Sequence, residues 1–212
     1  MGDILDTRFD GKEVELTDNR AKVGDDINII AIDPTLRKLH IGVGWDLNAY
    51  DATALDLDIS VFLLDKNGKT RVDEDFIFYN NLEVLNGAVR HMGDNRTGAG
   101  EGDDETIFID LTGVPFDIQK IVFVLSLYRG EEKDQRLGQV QKGFLRLANQ
   151  ETGIELLRYE IDKDLEDKAA TGMIVASINR EGPKWHFTPI AEFIDGGLKA
   201  IATRYGCVIV DN

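Results

Sequence analysis

Cysteine is nearly missing from this chain: Cys207 is the only one in 212 residues, so no internal disulfide framework can form. Basic residues are also scarce, 24 against 39 acidic ones, for a net charge of -15. A nucleic-acid surface needs a positive footprint, and no Lys/Arg cluster is present, which argues against nucleic acid and against an anionic membrane surface. No apolar run approaches the roughly 18–20 residues of a membrane-spanning helix. The opening "MGDILDTRFDGKEVEL" is charged from Asp3 and lacks the apolar stretch of a secretory signal. Gly2 follows Met1, but Asp6 stands where a myristoylation site has Ser or Thr. The expected location is therefore cytoplasmic.

Catalytic signatures are absent too. His40, His91 and His186 are far apart and in no HExxH pattern. Ser60, Ser126 and Ser177 lie inside apolar runs, and no G-x-S-x-G elbow exists. Cys207 has no neighbouring histidine and reads as a buried tail residue. The run "GAGEG" is followed by Asp103 and Asp104 instead of the lysine of a phosphate loop. These features favour a binding module over an enzyme. An acid/base role for a carboxylate pair such as Asp56/Asp58 is the weaker reading.

What is present is strand signal. Hydrophobic residues make up 42% and charged residues 30%, enough for one globular domain with a real core. Short Val/Ile-rich runs separated by Gly, Asn and Asp predict strands at 27–32, 39–45, 56–64, 75–79, 106–111, 120–128, 143–149, 154–161, 172–179 and 184–189. In "DLDISVFLL", Leu57, Ile59, Val61 and Leu63 share a face. "DKNGK" at 65–69 and "NQETG" at 149–153 read as hairpin turns. Helical signal is confined to a turn or two near 134–143 and to "DGGLKAIATRYG". There Asp195 is the expected cap and Gly206 the stop. The polar residues 1–26 read as a peripheral hairpin or a partly disordered lead-in. The fold class expected is mainly β: an antiparallel two-sheet β-sandwich with a short C-terminal helix.

The acidic residues cluster. "GDNRTGAGEGDDE" at 93–105 packs five carboxylates and four glycines into 13 residues. Asp94, Asn95, Thr97, Glu101, Asp103, Asp104 and Glu105 offer side-chain oxygens, and the glycines let backbone carbonyls turn inward. Calcium takes about six to eight such oxygens. Asp94–Glu105 spans the twelve residues of an EF-hand loop, but Arg96, Gly98 and Ala99 break that pattern. Asp56 and Asp58, two apart on one strand, form a second acidic group; Asp73, Glu74 and Asp75, followed by Asn80 and Asn81, form a third. Composition and spacing leave two readings open, solvated turns or a cation site shared between loops.

The stretches "VGWD" (43–46), "DLDISVFLLDKNGK" (56–69), "DFIFYNN" (75–81), "GDNRTGAGEGDDE" (93–105), "KIVFVLSLY" (120–128) and "GQVQKGFLRLANQETGIELLRYEI" (138–161) resemble the TerD family of tellurium-resistance and stress-response proteins. The resemblance runs in order over residues 41–206. It implies one domain, 1–212, with 1–34 an atypical N-terminal extension. It also implies a sandwich that binds Ca2+ through acidic loops at one end. Carried over by motif, the ligands are Asp56, Asp58, Asp94, Asn95, Thr97, Asp103, Asp104 and Glu105, with Gly98 or Gly100 through carbonyls. Asp75, Asn80 and Asn81 serve a second ion or an outer shell. The implied role is an ion-binding and protein-interaction module of a resistance system, partnering other proteins of that system. The alternatives are calcium-dependent docking to a membrane or phospho-ligand, and, further off, a metal-dependent hydrolase. The chain departs from the family at Met1–Pro34, at "DKAATGMIVASINREG" and at the tail "CVIVDN".

Overall fold

The structure, a computed structural model, describes residues 19–46, 55–93 and 102–207. Asp94, Asn95, Thr97, Gly98 and Gly100 lie outside the described residues, as do 1–18 and the last five residues of the tail.

Among the described residues, thirteen strands form two sheets: β1 (Arg20–Ala21), β2 (Ile27–Asn28), β3 (Lys38–Asp46), β4 (Leu57–Leu64), β5 (Phe76–Ile77), β6 (Glu83–Val84), β7 (Val89–His91), β8 (Glu105–Asp110), β9 (Lys120–Leu127), β10 (Gln141–Asn149), β11 (Glu155–Glu160), β12 (Gly172–Glu181) and β13 (Lys184–Ile194), joined by the short helices α1 (Ile29–Ile32) and α2 (Asp162–Leu165) and the longer α3 (Gly197–Tyr205). One sheet has the order β1-β11-β10-β3-β8-β7-β6, and the other β2-β13-β12-β9-β4-β5. Among the described residues only β1 pairs in parallel, with β11; the other strand pairs are antiparallel. The expected antiparallel sandwich is what the chain forms. No helix among the described residues is long and apolar enough to cross a membrane.

The two sheets bury their faces differently. In the first sheet, side chains alternate: Ile107, Ile109, Leu145 and Leu147 point inward, while Phe108, Asp110, Phe144 and Arg146 are only partly covered. In the second, every residue of β4 is buried. Its inner face, with Ile59, Val61 and Leu63, joins the core between the sheets. On its outer face, Phe62 and Leu64 pack with Val122, Val124, Ile174 and helix α3 (Gly197–Tyr205) through Ile201 and Ala202. This second, smaller core explains the near-continuous apolar runs of β4 and β9. A strand covered on both faces has no reason to alternate. Phe62 and Phe76 stack at 4.3 Å, and Phe76 and Phe78 at 4.4 Å.

Local chemistry shifts several expected boundaries. Residues 27–32 yield only a two-residue strand. The Asn28 side chain accepts the N–H groups of Ile30 and Ala31 and starts a helical turn at Ile29–Ile32 despite the β-branched residues. The stretch 19–34 makes no hairpin of its own, since β1 joins one sheet and β2 the other. The "DKNGK" turn closes through the Asp65 N–H and the Lys69 carbonyl. The return strand shrinks to Phe76–Ile77, because Asp73–Asp75 forms a 3-10 turn. The "NQETG" turn joins β10 to β11 as expected, with Asn149 Oδ1 accepting the N–H groups of Glu151 and Thr152. Strands β6 and β7, unforeseen, flank a tight turn with Leu85 and Asn86 at positive φ. Helix α3 is capped by Gly196 at φ 85, not by Asp195, and ends on Gly206 at φ 102.

Truncating Phe62, fully buried between α3 and the sheet, removes a large part of the smaller core. Phe62→Ala is expected to lower unfolding free energy by about 3–5 kcal/mol in a urea titration. A loss below about 1 kcal/mol would mean that α3 does not seal this face.

Candidate cation site at the acidic end of the sandwich

Strand register gathers the acidic residues at one end. β3 leaves the sheets there at Asp46, β4 enters after Asp56, β7 leaves at His91 and β8 enters at Glu105. Asp58 and Glu105 are buried, at 5% and 1% exposure, and Asp104 nearly so. Buried carboxylates are costly unless something compensates them, so their individual environments decide what each can do.

The three successive carboxylates 103–105 diverge. Asp103 lies on the outer face of the first sheet, over Gly42, where a Cβ would sit 2.2 Å from its carboxylate. Arg146 donates from Nε to Oδ1 at 2.6 Å and from a terminal nitrogen to Oδ2 at 2.7 Å, and His40 Nε2 lies 2.7 Å from Oδ2. Burial acts to raise the Asp103 pKa, but the hydrogen bonds and charges of His40 and Arg146 outweigh it and hold the carboxyl below its usual value. Both oxygens of Asp103 are thus taken by Arg146, and Oδ2 also meets His40. The motif-based assignment of Asp103 as a metal ligand meets a competing partner, 43 residues away in sequence.

Asp104 behaves oppositely. Its Oδ2 accepts the Trp45 N–H at 2.9 Å, and among the described residues no basic side chain pairs with it. Burial pushes its pKa up, the Trp45 bond opposes this, and the charges of Asp103 and Asp46 push it further up. Such a group gains from any added positive charge.

Glu105 turns inward, on the same face of β8 as Ile107 and Ile109. Its Oε2 accepts the Ile59 N–H at 3.4 Å and lies 3.3 Å from His91 Nε2. His91 Nε2 also reaches the Ile59 carbonyl at 3.1 Å, while its Nδ1 accepts the Gly93 N–H. Because Nδ1 accepts, the proton belongs on Nε2, in the neutral tautomer. β5 pairs only with Val61 and Phe62, so the peptide groups of Ile59 meet Glu105 and His91 instead of a strand. In the sequence His91 stands apart from the other histidines and in no metal-binding pattern. No spacing rule marks it; only the β7–β8 pairing, with His91 opposite Ile107, sets its ring against Glu105.

Asp58 sits on the outer side of β4, with Ser60 and Phe62, and pairs across to Ser126. The Tyr79 ring feels both Asp58 and Asp56: burial, Tyr128 and Asp58 raise its pKa, Arg129 lowers it and Asp56 raises it. Asp56 lies 3.7 Å from Lys133, and Asp46 pairs with Lys142 at 2.5 Å. Among the weaker candidates, Asp75 is buried and gripped by Arg71, at 2.8 Å to each oxygen, and Arg71 also holds Asp117. Asn81 donates to the carbonyls of Glu74 and Phe76 and shapes a turn, while Asn80 is exposed. Asp75 and Asn81 thus have local structural partners. Among the described residues, no three His, Cys, Asp or Glu side chains converge as a metal-holding group. Asp58, Asp104 and Glu105 are the buried oxygens that the structure brings to this end, and hard carboxylate donors suit a hard cation.

Opposite pKa directions give opposite pH responses. Asp103, depressed in the fold, stabilises above its unfolded value, and this is lost as pH falls through its lower folded value. Asp104, raised in the fold, relieves strain when protonated, so its unfavourable contribution grows as pH rises past the usual carboxylate range. Asp104→Asn is therefore expected to be more stable than wild type at pH 7 in chelator-treated buffer. That advantage should vanish below the ordinary aspartate value of 3.8. Gly42→Ala, whose Cβ would strike the Asp103 carboxylate, is expected to cost about 1–3 kcal/mol at pH 7 and to flatten the acid limb of the stability profile. Urea titrations at several pH values check both.

Comparisons with known proteins agree with this architecture. The TerD domain profile matches residues 20–205. The match thus includes β1 and β2, within the stretch 1–34 expected to be an extension. General stress protein 16U of Bacillus subtilis (strain 168) is 45% identical over 184 residues, covering 86% of this chain and 94% of that protein. Tellurium resistance protein TerD of Serratia marcescens is 39% identical over 183 residues, with the same two shares, 86% and 94%. A crystal structure of a homologue of telluride resistance protein (TerD) from Streptomyces coelicolor A3(2) superposes with a TM-score of 0.63 at 18% identity. It covers 82% of this chain and 99% of that one, a likeness of fold. With a family match across nearly all the described residues, the chain belongs to the TerD domain family.

Proposed function

We propose that this protein acts in tellurium resistance or a general stress response as a calcium-binding module rather than a catalyst, in the cytoplasm, alongside other proteins of the same resistance system. The names of its relatives support the first part: general stress protein 16U and tellurium resistance protein TerD, each aligned over most of both chains.

The observation that carries the calcium reading is the burial of Asp58, Asp104 and Glu105 at one end of the sandwich, with Asp104 held in a site that disfavours its charge. A bound Ca2+ would supply the positive charge that such a group lacks. Of the described residues that the family resemblance offers, these three are the donors we assign first. Asp103 becomes a positioning residue, tying the chain before β8 to β10 through Arg146. Asp56 stays a candidate, with Lys133 as its competitor. Asp94, Asn95, Thr97, Gly98 and Gly100 complete the proposed donor set from the sequence side.

Calcium that binds only the folded form, at a hundredfold excess over Kd, stabilises by about 2.7 kcal/mol. For a chain of this size that corresponds to a rise in Tm of about 5–10 °C. Thermal melts with Ca2+ and with chelator, paired with isothermal titration calorimetry, test the reading. Asp58→Asn and Glu105→Gln should each weaken calcium binding at least tenfold. An unchanged midpoint together with no calcium heat would sink it. Wild-type affinity in both variants would show that the ion sits elsewhere.

A further inference from the structure

At the pole opposite the acidic end, three side chains of the types enriched in protein interfaces come together: Phe116, Arg180 and Trp185. Phe116 is 83% exposed, the most exposed of the large apolar side chains among the described residues. It is not on a slack loop. Ile118, two residues on, is fully buried; Asp117 is held by Arg71 at 2.9 Å; and the Phe116 carbonyl accepts the Gln119 side-chain N–H at 2.5 Å. The ring is therefore presented to solvent by an anchored turn.

The Arg180 guanidinium lies 4.5 Å from the Trp185 ring centroid and 5.1 Å from that of Phe116. One terminal nitrogen donates to the Val114 carbonyl at 2.8 Å, and Nε is buried with no hydrogen-bond acceptor. Among the described residues no carboxylate pairs with it, whereas Arg71, Arg146, Arg158 and Arg204 each grip one. Asp117, whose charge reaches Arg180, spends both oxygens on Arg71. Burial lowers the Arg180 pKa, and Asp117 opposes this only through its charge. A guanidinium oriented by two rings, partly dehydrated and without a carboxylate partner among the described residues is prepared for a planar oxyanion, which it takes best through a bidentate fork.

We propose that Phe116, Arg180 and Trp185 form a docking site for a partner protein, recognising a short segment in which one carboxylate lies beside a large apolar side chain. The carboxylate would take the terminal nitrogens of Arg180, and the apolar group would cover the Phe116 ring. One carboxylate is specified because, among the described residues, Arg180 is the guanidinium that this cluster presents. On a chain of net charge -15, a polyacidic segment would meet repulsion beyond this contact. The same repulsion disfavours a second copy of the chain as the occupant.

The test uses the full chain, 15N-labelled, titrated with a capped leucyl-glutamyl-leucine peptide amide and, separately, with its leucyl-glutaminyl-leucine analogue. Saturable shifts at the amides of Phe116, Arg180 and Trp185 are expected with the glutamyl peptide, at least tenfold weaker with the glutaminyl one. Arg180→Gln should lose binding at least tenfold, Arg180→Lys should recover only part of it, and Phe116→Ala should weaken it while leaving the circular dichroism spectrum unchanged. Equal binding of the two peptides, wild-type binding by Arg180→Gln, or no saturable shift up to the solubility limit would overturn the assignment. Concentration-dependent sedimentation that Arg180→Gln abolishes would also overturn it, by placing a second copy there.

Discussion

The sandwich depends on how it closes its open edge beside Ile59. Strand β5 is only two residues long, so the peptide of Ile59 needs partners from elsewhere. Glu105 takes its N–H and His91 approaches its carbonyl, and these two side chains belong to the opposite sheet. A buried backbone group left unpaired would cost about as much as a lost hydrogen bond. Two buried polar side chains therefore tie the sheets together at the point where strand pairing runs out. The same tie sets Glu105 in the mouth of the sandwich, next to the strand that carries Asp58.

The rest of the acidic end is arranged around a choice made residue by residue. Asp103 is paired with Arg146 and hydrogen-bonded to His40 on the outer face, where Gly42 leaves room for it. Asp75 is neutralised by Arg71, and Asp46 by Lys142. Asp104 receives one backbone N–H and feels the charges of two neighbouring aspartates. An acidic surface becomes a candidate cation site where neutralisation by the protein is incomplete, and that condition separates Asp104 from Asp103 although they are adjacent.

Much of the fold was legible in the sequence. Strands β3, β4, β8, β9, β10, β11 and β12 lie close to their expected spans, because β-branched runs bounded by turn residues have few other uses. Strands β6 and β7 were not legible. They are two and three residues long, and their pairing depends on a turn with Leu85 and Asn86 at positive φ. The helical turn at Ile29 was also hidden, since a single cap residue, Asn28, overrode the propensity of three isoleucines. For the site, the acidic segments were visible and their fates were not. His91 carried no local signal at all.

By itself, then, the sequence determined a β-rich domain, the hairpin turns at 65–69 and 149–153, and the family to which the acidic glycine-rich signature belongs. These rest on local propensity and on a long contiguous motif. Only the tertiary structure decided that Asp103 is paired with Arg146 while its neighbour Asp104 meets no basic side chain among the described residues. Arg146 is 43 residues from Asp103, and His40 is 63 away, so pairing is set by strand register across the sheet. Likewise the apolar run of β4 cannot reveal that one side of it faces a helix and the other a sheet. Burial on both faces follows from where α3 docks, a contact between segments more than a hundred residues apart in the chain.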